Sequence, residues 1–178
     1  MNDTTTTLWQ RLRAWELPER DWFNLIWFQL TWFICVIGRT PEIVIGLAMI
    51  ALHLVLVGRP RHELRALAGI AVAGVAIDGV LTAVGIFDFN DALWLPPWLI
   101  ILWLAFAATL SRCLRAFAAR PWLAAVVGGF GVPFNYGIGE RLGAVVFPQP
   151  LWITAAVLIL VWTCLFPVLF RLDNRLRS

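Results

Sequence analysis

The chain has no lysine, a single tyrosine and few charges: 14% of its 178 residues are Asp, Glu, Lys or Arg, against about 25% in soluble domains. All fourteen basic residues are arginine, which reads as composition and not as function. The three cysteines, Cys35, Cys113 and Cys164, are scattered through apolar stretches with no zinc or haem spacing. They read as small buried residues. No Walker loop, nucleophile elbow, HExxH motif or cysteine cluster is present. No catalytic chemistry can therefore be assigned, and neither a metal nor a cofactor is expected. His53 has no second ligand nearby and reads as a structural residue. Nothing points to nucleic acid.

What the chain has is apolar surface. Hydrophobic residues make up 61%, and mean hydropathy is +0.80. A chain of this size has too little interior to hide that surface, so lipid must cover the rest. The expected fold is all-α: a polytopic bundle of six transmembrane helices. Crossing a ~30 Å hydrocarbon core takes about 20 apolar residues. Six stretches approach this, at residues 22–38, 42–58, 66–87, 97–117, 121–139 and 151–170. They form one transmembrane domain over 21–171, with an N-terminal segment 1–20 and a tail 172–178. Pro97-Trp98 and Pro121-Trp122 mark helix starts, where Pro lacks only an N–H that would be unpaired anyway and Trp sits at headgroup level.

Arginine sets the orientation. Twelve of the fourteen fall before the first stretch, between the second and third, around the end of the fourth, and after the sixth. Only Arg39 and Arg141 fall on the other side. This bias places both termini in the cytoplasm, and the +3 net charge is a topology signal. Residues 1–21 contain no signal-peptide core. Leu8, Trp9, Leu12 and Trp15 share a helical face, so residues 5–17 are expected to form an interfacial helix.

Asp78 is the main anomaly, because a charge that deep costs roughly 2.5–3.5 kcal/mol on insertion scales and must face protein or water. It lies on a mostly small stripe with Ala71, Gly74, Leu81, Thr82 and Gly85, which makes the third helix central. The fifth stretch concentrates helix breakers in Gly128-Gly129-Phe130-Gly131-Val132-Pro133, followed by Asn135, Tyr136 and Arg141, with Gly139 and Gly143 as a GxxxG pair. It is expected to be broken or kinked, and broken helices often build sites. At 1.5 Å per residue, Asn135 and Tyr136 lie close in depth to Asp78. Asp78, Asn135, Tyr136 and Arg141, with Asn24 and Gln29 of the first helix, are the candidate ligand-binding residues. Arg112 and Arg115, i,i+3 neighbours at the inner end of the fourth helix, are candidate contacts for lipid phosphate.

Three stretches together resemble a known family: Asn24-x4-Gln29-x2-Trp32-Phe33-x-Cys35-Val36; Pro96-Pro97-Trp98-Leu99-x3-Trp103-x2-Phe106-Ala107-x-Thr109-Leu110; and Pro133-x2-Tyr136-x2-Gly139-x-Arg141-Leu142-Gly143-Ala144. They are similar to DUF2878, bacterial multi-pass inner-membrane proteins of unknown function. The resemblance implies a link to membrane-lipid modification and to envelope or oxidative stress. Membrane lipids are the expected partners. Three readings follow: binding or assisting modification of a lipid or small amphiphile, a small proton-coupled transporter or flippase, and a non-catalytic scaffold docking a peripheral lipid-modifying enzyme on the cytoplasmic face.

Overall fold

The computed structural model describes residues 16–90 and 94–178. The expected interfacial helix at 5–17 lies almost wholly outside them. After a 3-10 turn at Leu17–Glu19, α1 runs Asp21–Phe33 and widens into a π turn at Ile34–Gly38. A second 3-10 turn, Thr40–Glu42, leads into α2, Ile43–Leu56. Then follow α3, Pro60–Ala83; α4, Pro97–Leu110; α5, Pro121–Arg141; and α6, Leu151–Arg177. Proline opens α3, α4 and α5. The strand-like pairing among the described residues is an isolated bridge between Asp88 and Val146.

Three helical segments are long and apolar enough to cross a membrane: Asp21–Gly38, Pro60–Ala83 and Leu151–Arg177. Thr40–Leu56 and Pro97–Leu110 are apolar but shorter. Fourteen residues of α-helix rise only about 21 Å. α4 stops well short of residue 117 because Thr109 Oγ1 takes the Phe106 carbonyl at 2.6 Å, and the Arg112 and Leu114 amides both turn back to the Thr109 carbonyl. A side chain that competes for backbone groups favours ending a helix. The outer surface is apolar: Val72, Val80, Trp122, Phe130, Phe134 and Leu160 are each 62–71% exposed. A patch of that extent is foreign to water-soluble surfaces.

The bundle is centred on α4, which packs against α1, α2, α3 and α6. The centrality expected of α3 is thus shared. Gly74 of α3 explains their close approach, since a Cβ there would overlap the Trp103 ring of α4. Of the two outcomes expected for α5, broken or kinked, the break is absent. The helix runs through Pro133 without interruption, and its glycines serve packing. A Cβ on Gly128 would collide with Phe166 and the Trp162 carbonyl, and one on Gly129 with Thr163 Oγ1. Two other glycines read as packing residues are helix terminators. Gly143, at φ +72°, bonds its amide to the Glu140 carbonyl while Ala144 reaches Gly139. Gly85, at φ +74°, repeats the pattern with Thr82, and Ile86 with Leu81. Both are Schellman ends, which need the left-handed conformation that glycine adopts without penalty.

Candidate ligand cleft and its buried carboxylate

Asp78 is completely buried, with a relative exposure of 0%. Its two oxygens are both used. The Tyr136 hydroxyl donates to Oδ1 at 2.6 Å, and the Trp103 indole N–H donates to Oδ2 at 2.7 Å. The carboxyl therefore joins α3 to α4 and α5 through two neutral donors. Buried polar groups persist where each is hydrogen-bonded. The rings it holds are themselves packed: Trp103 stacks on Trp162 with centroids 5.6 Å apart, and Tyr136 on Phe87 at 4.7 Å.

Trp103 and Tyr136 present their other surfaces to a cleft of about 250 Å³ lined by side chains of α1, α4, α5 and α6. Trp32, Trp98, Phe106 and Phe166 supply much of the wall. Asp78 is not in the lining. It stands behind the two rings and fixes them, so its relation to any occupant is indirect. Ligand pockets in general run about 300–1,000 Å³ and are mostly apolar with a few placed polar groups. This one is slightly smaller, and its wall is nearly all aromatic and aliphatic.

The other sequence candidates divide. Asn135 lines the cleft, but its amide donates to the Gly131 carbonyl one turn back, at 2.8 Å. Arg141 is exposed. It lies two residues past the cleft-lining Gly139, some 200° further round the helix, and does not join Asp78. Asn24 is buried and donates to the Ala108 carbonyl at 3.3 Å, tying α1 to α4. Gln29 is exposed, outside the lining. The Arg112–Arg115 pair also separates. Arg115 stays at the surface, 3.2 Å from Asp21, whereas Arg112 turns inward and is 3% exposed.

Arg112 belongs to a charged cluster at the end of the bundle opposite Arg39. Glu63 is its hub. Arg112 grips it with Nη1 to Oε1 at 2.8 Å and Nη2 to Oε2 at 3.1 Å. Arg177 Nη1 bonds Oε2 at 2.6 Å, and His53 Nε2 lies 2.9 Å from Oε1. Glu19 adds a bond to Arg112 at 2.9 Å. Asp173 receives Arg177 Nε at 2.9 and 3.0 Å. The cluster brings the start of α1 and the end of α6 to one end of the bundle. Sequence reading missed Glu63, Glu19 and Asp173, because carboxylates among arginines look like a solvated face. One signal was available: Asp173 and Arg177 stand at i,i+4.

An all-helical bundle with an apolar outer surface, and helices long and apolar enough to cross a bilayer, is a helical membrane protein. The chain belongs to the family described as protein of unknown function (DUF2878), whose model matches residues 21–168. No curated protein and no solved structure matches it. Some of the residues that carry the family resemblance converge in space: Trp32, Trp98, Trp103, Phe106, Tyr136 and Gly139 line the same cleft.

Proposed function

We propose that the chain is a six-helix bacterial inner-membrane protein, both termini cytoplasmic, that holds a membrane lipid or small amphiphile in this cleft and so binds it or assists its modification. The observation that carries the reading is the aromatic cleft itself, with Trp103 and Tyr136 of its wall held from behind by Asp78. Stacked, well-packed aromatic walls hold apolar matter and offer no reactive group to it. The twelve-to-two arginine split supports the orientation, and so does the meeting of Glu19 and Arg177 at one end.

The proton-coupled transporter has less support, since both Asp78 oxygens are occupied by neutral donors and Asp78 itself lies outside the cleft lining. The scaffold reading has less as well, since Arg112 and Arg177 are neutralised within the bundle. Two measurements test the proposal. Comparative lipidomics of a deletion strain should show one altered lipid class. Purified protein should retain an amphiphile, detected by mass spectrometry, and Gly131→Leu should lose it. Gly131 lines the cleft, and a Cβ there meets nothing nearer than 4.0 Å, so a side chain can start there without collision and take up cleft space. An unchanged lipidome together with equal retention by a folded Gly131→Leu variant would refute the reading and leave the scaffold.

A further inference from the structure

The cleft wall contains no cation, yet one stands at its outer end. Arg39, in the turn between α1 and α2, reaches across to α5 and donates from Nη2 to the Leu142 carbonyl at 2.9 Å. Gly139 and Ala144, on either side of Leu142, line the cleft, as does Val36 one turn before Arg39. Gly143 makes room for the guanidinium, since a Cβ there would stand 2.9 Å from Arg39 Nη2. Arg39 also holds an uncommon backbone conformation for a non-glycine residue, φ 54° and ψ −143°, of the kind that concentrates at ligand clamps and switch regions.

Its electrostatic setting differs from that of the arginines at the opposite end that pair with carboxylates. Arg112, Arg115 and Arg177 each meet a carboxylate. Among the described residues Arg39 meets none: its one partner is a carbonyl, and Glu42 and Glu140, the acidic residues nearest it in the two flanking turns, form no ion pair with it. An exposed guanidinium with donors to spare, at the mouth of an apolar cleft, matches one kind of occupant. We propose that the molecule held in the cleft has an anionic end, a carboxylate or phosphate, that docks on Arg39 while its chain lies between Trp98, Trp103 and Phe106. The inference rests on the cleft being a binding site. Guanidinium donates paired, charge-assisted bonds to such groups.

The test uses the full chain in phosphatidylcholine nanodiscs and follows tryptophan fluorescence. The probes are dodecyl phosphate, chain-matched dodecanol, and inorganic phosphate alone. Dodecyl phosphate should bind about tenfold tighter than dodecanol at low salt, roughly the worth of one charge-assisted contact. That preference should shrink as salt rises. Arg39→Gln should abolish it and leave dodecanol binding unchanged, Arg39→Lys should restore part of it, and Arg141→Gln should leave it intact. Inorganic phosphate should not compete. Equal binding of both amphiphiles would overturn the anionic end and leave the cleft standing. An Arg141→Gln effect equal to that of Arg39→Gln would reduce the preference to general electrostatics and overturn the docking role. Competition by inorganic phosphate matching dodecyl phosphate would point to a free anion instead. Binding of neither amphiphile, in wild type as in Gly131→Leu, would sink the cleft reading itself.

Discussion

The chain buries carboxylates in two places and treats them in opposite ways. At the arginine-rich end Glu63 is surrounded by Arg112, Arg177 and His53. Toward the C-terminal end of α3, Asp78 bonds no cation among the described residues and rests on an indole and a phenol. The first arrangement is a knot of full charges whose parts cannot be removed singly. The second is a positioning device: two neutral bonds that hold two rings, whose other faces form the cleft. Where charges meet charges, the gain is that five chain segments are held at one point. Where a carboxyl meets neutral donors, the gain is the exact pose of aromatic walls.

Removing the hub should cost most. Glu63→Ala strips Arg112 and Arg177 of the buried carboxylate they share and leaves them only Glu19 and Asp173, and breaking a buried pair from one side typically costs about 3–5 kcal/mol. The expected result is a collapse of the thermal melting temperature in detergent, or failure to accumulate. A smaller loss would show that water replaces the carboxylate and that the cluster is looser than its distances imply. Next comes Gly74→Ala, whose added methyl must displace the Trp103 ring. Overpacking of this kind costs about 1–3 kcal/mol. It should also weaken amphiphile retention, linking helix packing to the cleft.

Asp78→Asn keeps the volume but can accept from only one of the two donors in full, and presents an N–H to the other. A loss of about 1–3 kcal/mol is expected from the unsatisfied group, with a shift in tryptophan emission as Trp103 is released. If a stable Asp78→Asn variant retained ligand and emission unchanged, the positioning role would fail. Tyr136→Phe should cost less, near 1 kcal/mol, because one donor remains. Smallest is Arg115→Ala. Its pair with Asp21 has side chains 64% and 49% exposed, and exposed pairs contribute at most a few tenths to 1 kcal/mol. A large effect there would mean that the surface pair anchors the arginine-rich end as firmly as the buried one.

Much of this contrast was readable in advance. A carboxyl deep in an apolar run has to find a partner, and depth arithmetic from the spans brings Tyr136 to the level of Asp78. Trp103 was not readable, because the chain carries eleven tryptophans and nothing local separates one that packs from one that faces lipid. The Gly128–Gly129–Pro133 run looked like a break. Glycine permits both a break and close packing, and only Phe166 and Thr163 of α6, distant in sequence, decide between them. Arg112 and Arg115 look equivalent three residues apart. A turn after Leu110 sends one inward to Glu63 and leaves the other at the surface.

The sequence by itself determined the class of protein: helices, their number, their apolar surface and the uneven placement of arginine, because each depends on local composition and on the solvent that composition demands. Which polar residues meet was left to the tertiary structure. The partners of Asp78 and Glu63 lie 10 to 114 residues away along the chain, and the cleft exists only where α1, α4, α5 and α6 pack without closing. Contacts of that range depend on how helices are rotated and spaced, and in this bundle a few glycines set that spacing.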